Sequence, residues 1–285
     1  MKYAVFTVST PAMTPEDVAP KLKEYGYDGI EWRIVDEEPN PPGMGFWHGN
    51  KATVPFTGIV EKAPEIRKLA EDNGLEMPAL GTYVAASDPD SVETAMKAAQ
   101  ALGVPKLRVN VARYDDSQPF RTVWDKDREA YRHVADLAGK YGVQALIEIH
   151  HGSLCPSASA ARLYVEGMDP ANVGVIHDAG NMVYEGYENY RLGLEILGEY
   201  LSHIHVKNAK WLPQKYREDK SVIWMCTAAP VHKGIADMRQ LFRTLKAIGY
   251  DGWISVEDFS TERPLEDRLR ENLAFLKKVE AEAEA

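Results

Sequence analysis

ALIEIHHG (145–152), VGVIHDAGN (173–181) and LSHIHVKN (201–208) follow one another through the middle of the chain, and GWISVEDF (252–259) repeats their form near its end. Each is a short β-branched and apolar run that stops at a side chain able to bind a metal: Glu148, Asp178, His205 and Glu257. Such runs, bounded by turn residues, read as buried strands of a parallel sheet. If the sheet closes on itself, all four strand ends of one sense meet at one mouth. Two glutamates, one aspartate and one histidine then converge on one point.

The rest of the chain supports closure. Working outward, strands are expected at YAVFTV (3–8), GIEWRI (29–34), MPALGT (77–82), KLRVNV (106–111), VQALIEI (143–149), VGVIHD (173–178), LSHIHVK (201–207) and GWISVE (252–257). Helical periodicity separates them, over about 15–25, 58–73, a segment after Ser87-Asp88-Pro89, 122–141, 157–166, 188–198, a segment from Asp237, and 264–280. Thr14-Pro15-Glu16-Asp17 has the features of a helix start, and Asn73-Gly74 and Gly142 those of helix ends. Strict alternation implies parallel strands with right-handed crossovers. Eight units in 285 residues fit a single α/β domain, a (β/α)8 TIM barrel spanning 1–285. An open doubly wound sheet would want a glycine-rich turn after the first strand, where this chain has STPAMTP (9–15). Two segments exceed ordinary barrel loops: 35–57, rich in Pro and Gly, and 209–233, where SVIWMCTA (221–228) suggests a small β excursion. Both are expected to wall the mouth, with Trp47 or Trp211 near substrate. The AEAEA tail is expected to fray.

Composition narrows the function. Apolar residues make up 45% and charged residues 27%, which suits a soluble globular protein, and the net charge of −10 disfavours a phosphate backbone as partner. Two distant cysteines, Cys155 and Cys226, offer neither a disulfide framework nor a CxxC site, which fits a reducing cytosol. No stretch approaches the ~20 apolar residues of a membrane span. A cytoplasmic enzyme with a small-molecule partner is expected, without nucleic acid or membrane, and assembly as a homo-oligomer stays open.

Each site residue also has an ordinary reading. Glu148 could pair with an arginine, Asp178 could cap a turn, His205 could be a satisfied core histidine and Glu257 an inert loop acid. Those readings must hold independently at four strand ends, and buried acids gathered at one mouth are costly without a cation. Three carboxylates and one imidazole suit Mn²⁺, ranked first, or Mg²⁺, Co²⁺ or Zn²⁺. Side chains alternate along a strand, so His203, His205 and Lys207 share a face, as do Glu148 and His150.

With YGYDGIEWR (25–33), IEIHHG, IHDAGN, HIHVKN and GIADMRQLFRTLKAIGYDGWISVED (234–258), the chain resembles the xylose isomerase-like TIM barrel superfamily. The resemblance is to its sugar and sugar-phosphate isomerase and epimerase branch, which includes the ketose 3-epimerases. It implies that Glu148, Asp178, His205 and Glu257 hold one divalent metal. It further implies that the two glutamates act as acid and base on opposite faces of a chelated sugar or polyol-derived ketone. The chain departs from the ketose-epimerase pattern at Asn181, where a substrate-contacting His is usual, and at Trp211, where an Arg is usual. Lys207 is the candidate replacement cation. Arg33, Arg108 and His150 are further candidates for contact with substrate. An isomerase or epimerase acting through an enediolate is therefore the leading expectation. A metal-dependent lyase that dehydrates a hydroxy-ketone is the alternative. An abasic-site endonuclease would need more histidines and a basic face, and a non-catalytic barrel would have lost ligands.

Overall fold

A computed structural model describes residues 1–38 and 41–283. Its strands are β1 (Lys2–Phe6), β2 (Gly29–Ile34), β3 (Leu80–Thr82), β4 (Lys106–Arg108), β5 (Gln144–Glu148), β6 (Val173–Asp178), β7 (Leu201–Val206), β8 (Asn208–Tyr216), β9 (Val222–Ala229) and β10 (Trp253–Val256). All but β8 and β9 pair in parallel and close in the order β1-β10-β7-β6-β5-β4-β3-β2. The expected single-domain (β/α)8 barrel is what forms. The helices are α1 (Pro15–Tyr25), α2 (Ile59–Asp72), α3 (Pro89–Leu102), α4 (Phe120–Tyr141), α5 (Ala158–Val165), α6 (Ala179–Tyr184), α7 (Tyr190–Leu197), α8 (Met238–Ala247) and α9 (Leu265–Glu282).

Local chemistry explains most boundaries. Thr14 accepts from the Asp17 amide while Asp17 accepts from the Thr14 amide, a reciprocal cap that starts α1 at Pro15. The expected strand 3–8 ends early, at Phe6, because the Ser9 and Thr10 hydroxyls donate to the carbonyls of Phe6 and Thr7 and curl Thr7–Ser9 into a 3₁₀ turn. The helix α6 was not expected, since DAGN reads as a turn; Asp178 caps it by accepting from the Asn181 amide. The excursion within 209–233 is the antiparallel hairpin β8–β9, which stands outside the barrel sheet. The expected fraying of the tail falls on 284–285, outside the described residues, as do 39–40 of the long 35–57 segment.

Two cores result. The larger lies between strands and helices, around side chains such as Trp32, Tyr131, Tyr164 and Phe242. A small apolar plug of Ala79, Leu146 and Ile176 fills the barrel interior. Above the plug Phe6 crosses the axis so closely that a Cβ on Gly81 would meet its ring at 2.1 Å. Leu146 and Ile176 lie two residues before Glu148 and Asp178, so the same inward faces turn from apolar to charged at the mouth.

Candidate functional site

Register builds the site. Glu148 is the last residue of β5 and Asp178 the last of β6, and Asp178 stands beside His205 of β7. Glu257 follows β10, its amide bonded to the Val206 carbonyl. One ligand atom from each of Glu148, Asp178, His205 and Glu257 lies within 4.8 Å of the others, and all four residues are buried. Such a cluster of acids and imidazole can hold a metal ion.

Its fit to a cation shows in several ways. His205 turns Nδ1 towards Glu148 Oε1 at 3.2 Å and Glu257 Oε1 at 3.4 Å. Asp178 uses Oδ1 to cap α6, while Oδ2 has no hydrogen-bond partner among the described residues. Capping and clustering, alternatives in sequence, are thus shared by the two oxygens of one carboxylate. The positive charge beside Oδ2 is the Lys207 ammonium at 2.8 Å, which also lies 2.6 Å from Glu257 Oε2 and 3.7 Å from Glu148 Oε1. Lys207 therefore reaches inward among the carboxylates. Gly180 permits this, because a Cβ there would meet Lys207 Cγ at 2.3 Å.

The electrostatics follow. Burial opposes ionisation of Glu148, but Arg108, 2.7 Å away, and Lys207 hold it well below the usual carboxylate range. Burial pushes Asp178 up to about 7, Lys207 pulling the other way and the neighbouring glutamates adding to the rise. Lys207 is raised against burial by Asp178, Glu257 and Glu148. His205 is likewise raised against burial, by Glu31 and Glu257. Burial pushes His150 down to about 4.

The mouth opens on a cavity of about 520 Å³ whose lining includes Glu148, Lys207, Glu257, Arg108, His150 and Asn181. Asn181 donates to Glu148 Oε1 at 3.3 Å and to the Ile149 carbonyl at 3.0 Å. His150 stacks on His151, which stacks on Tyr184. Trp47 lines the cavity from the 35–57 segment and packs on Phe259. Arg33 and Trp211 are absent from the lining. Arg33 instead ties down its own loop through Glu37, Thr53 and the Trp47 carbonyl. The Trp211 indole donates to the Val183 carbonyl at 2.8 Å and anchors the hairpin.

One partner went unread in the sequence. Glu31 of β2, fully buried, lies 3.2 Å from His205 Nε2 and 3.1 Å from His203 Nε2. Its carboxylate is held low, His205 and His203 outweighing burial. The signal was an acid inside the otherwise apolar run GIEW, but its partner is 174 residues away. Tyr83, Arg113, His151 and Phe259 also line the cavity; His151 and Phe259 lie at the ends of the motifs ALIEIHHG and GWISVEDF, whereas nothing in the local sequence of Tyr83 and Arg113 marks them as site residues.

The xylose isomerase-like TIM barrel profile matches residues 19–279. The chain belongs to that family. It is 27% identical to inosose dehydratase of Geobacillus thermodenitrificans over 168 residues, 54% of this chain and 55% of the relative. The chain thus spans about half the length of the curated relatives it matches. Among solved structures, 3-keto-D-glucoside 4-epimerase of E. coli superposes with TM-score 0.72 at 18% identity, over 98% of this chain and 99% of that one. The IOLI protein with a bound zinc atom superposes with TM-score 0.73 at 16% identity, over all of both chains. At those identities the structural likeness speaks for the fold.

Proposed function

We propose that this protein is a divalent-metal-dependent lyase that dehydrates a small, polyol-derived hydroxy-ketone. The observation that carries it is the convergence of Glu148, Asp178, His205 and Glu257, with Lys207 among them, at the floor of a cavity sized for one sugar-like molecule. The isomerase or epimerase expected from sequence shares the first half of this chemistry. Elimination is favoured because the curated relatives matched by sequence are inosose dehydratases. Epimerases enter only through a likeness of fold.

In this reading Glu148, Asp178, His205 and Glu257 hold the cation, with Mn²⁺ first on the hardness of the ligands and Zn²⁺ next. When bound, the metal polarises the ketone and acidifies the adjacent C–H. Glu148, kept ionised by Arg108, takes the proton from the carbon beside the carbonyl. As the carbon–carbon double bond forms, the C–O bond of the β-hydroxyl breaks. The Lys207–Glu257 pair gives that oxygen a proton, and water leaves. The proton on Glu148 then restores the pair, since Lys207 Nζ lies 3.7 Å from Glu148 Oε1. His150, neutral because burial holds it near 4, is suited to hydrogen-bonding a hydroxyl. Trp47 on Phe259 gives an apolar wall for the C–H face of a ring. A cytoplasmic setting belongs to the same reading, supported by the two free cysteines, Cys155 and Cys226. No helix among the described residues is long and apolar enough to cross a membrane.

Product mass decides between the readings. Incubation of the metal-loaded protein with inosose should yield a product lighter by one water, and chelator should abolish it. A product of unchanged mass, with deuterium from D₂O beside the carbonyl, would move the assignment to epimerase.

A further inference from the structure

Lys207, Arg108 and Arg113 line the cavity, and the first two are already matched by acids. Lys207 lies among Asp178, Glu257 and Glu148. Arg108 pairs with Glu148, donates to the Thr82 carbonyl and lies 5.6 Å from the Phe6 ring and 4.6 Å from the Tyr83 ring. Arg113 differs from both. Its side chain has neither a carboxylate within 4.0 Å nor a hydrogen-bond partner among the described residues. Its backbone is nonetheless held firmly. Arg113 stands opposite Ser153, with the Tyr114 amide on the Gly152 carbonyl and the Leu154 amide on the Ala112 carbonyl, each at 3.0 Å. The Ala112 amide in turn donates to Asp127, which also accepts from the Tyr164 hydroxyl. The guanidinium leans over Gly152, where a Cβ would meet its Nη2 at 2.8 Å.

A second donor shares this wall. The chain continues past Arg108 in extended form, the Val109 amide on the Leu146 carbonyl, and alternation returns Asn110 to the inward face one step nearer the mouth. Its backbone is bonded on both sides, the amide to the Val84 carbonyl and the carbonyl to the Ala86 amide. Its side chain lines the cavity and, like that of Arg113, has no hydrogen-bond partner among the described residues. The acids close to Arg113 in the loops do not neutralise it. Asp115, Asp116 and Glu185 all lie beyond 4.0 Å from its guanidinium. Asp115 accepts from the Ser117 amide and hydroxyl, and Glu185 accepts from the Gly152 amide at 2.7 Å. In a chain of net charge −10, a cation left unmatched at a cavity wall is suited to the negative charge of a ligand.

We propose that the substrate carries a carboxylate remote from its ketone, bound by Arg113 and Asn110 on the wall that the loops after β4 and β5 form. The inference rests on the reading of the site given above and names the class of hydroxy-ketone, a polyhydroxy keto acid. A guanidinium presents two parallel N–H groups that match the two oxygens of one carboxylate, and the Asn110 amide supplies a further donor. A phosphate would leave an oxygen and a charge unmet, because Arg108 and Lys207, the other cations of the lining, are engaged by Glu148, Asp178 and Glu257. With the acid end held at this wall, the ketone end is directed to the floor, where the carboxylates converge. Arg113 is thus a specificity-determining residue that selects the substrate by charge.

D-Fructose, D-fructuronate and D-fructose 6-phosphate differ only at C6, which is an alcohol, a carboxylate or a phosphate ester, and serve as probes. Titration calorimetry of the full chain with Mn²⁺ should show fructuronate binding about tenfold or more tighter than fructose. The margin should narrow with added salt, and the phosphate should bind no tighter than fructuronate. Arg113→Met, at an exposed position, should bind the acid and the neutral sugar alike. Arg113→Lys, which keeps the charge and loses the fork, should fall between. Circular dichroism checks the folding of both variants, and the wild-type ratio needs neither. A wild type that does not prefer fructuronate to fructose, one that prefers the phosphate to fructuronate, or a folded Arg113→Met protein that keeps the preference would overturn the proposal. These readouts are of binding and stand apart from the reaction. Inosose left intact beside a preserved preference for the acid would sink the lyase reading alone. Dehydration of inosose without that preference would sink this inference alone.

Discussion

The two halves of the barrel mouth are built on different plans. From β5 through β6 and β7 to β10, every strand ends in a side chain of the cluster: Glu148, Asp178, His205 and Glu257. Across the barrel, β1, β2 and β4 contribute Phe6, Glu31 and Arg108, which attend to the other half rather than form a site themselves. Arg108 neutralises Glu148, Glu31 grips the far side of His205, and Phe6 lies 5.7 Å from the His205 ring. Functional groups on one side thus depend for charge and orientation on a support built from strands far away in sequence. The division predicts that damage to the first half removes chemistry, whereas damage to the second alters affinity.

The largest effect belongs to the glutamates. Glu148→Gln keeps the shape and removes the base, Glu257→Gln keeps the shape and removes the carboxylate of the proton-donating pair, and either should lower turnover by ~10²-fold or more at saturating metal. Asp178→Ala and His205→Ala should strip metal from the protein, as read by elemental analysis after dialysis. An Asp178→Ala or His205→Ala protein with full metal content would break the assignment of that half as the ligand set.

Glu31→Ala tests the supporting half. A ligating histidine is oriented by what its other nitrogen bonds, and loss of that partner weakens metal binding by about 10–100-fold. Titration calorimetry with Mn²⁺ or Zn²⁺ should show that loss in Glu31→Ala. Metal affinity equal to wild type would mean that β2 merely fills the barrel.

This division also sets what is legible in the sequence. GIEWRI and VGVIHD are legible to the residue as strands, because apolar runs between turn residues have few other uses. The four strand-end residues are legible because each closes its own motif. Lys207 is legible as facing inward, from alternation with His205, but its position between Asp178 and Glu257 is not, since that requires the side-chain path that Gly180 leaves open. Arg33 and Arg108 look alike as cations at strand ends. The first secures the 35–57 segment and the second pairs with Glu148, a distinction set by strand order and register. Glu31 stays hidden for the same reason. Trp211 reads as a neighbour of substrate because 209–233 looks like a loop; as a strand residue it is bound to Val183 at the hairpin base.

The smallest effect comes from outside the mouth and sharpens the contrast between interior charge and outer layer. His177, next to Asp178 but on the opposite face of β6, is fully buried, and neither ring nitrogen has a hydrogen-bond partner among the described residues. Burial pushes its pKa down to about 4, so it stays neutral in the folded protein while the unfolded chain takes up a proton below the usual histidine value. The unfolded state therefore binds more protons between those two values, and stability falls as pH drops through that window. By linkage His177 should cost about 1–2 kcal/mol between pH 7 and pH 5. His177→Phe keeps the ring beside Tyr190, at 6.0 Å between ring centroids in the wild type, and removes the titration. Urea midpoints of the two proteins should separate at pH 5, the wild type losing more of its pH 7 stability. Parallel losses would show that the outer layer takes no part in the acid response and that the carboxylates and histidines of the mouth account for all of it.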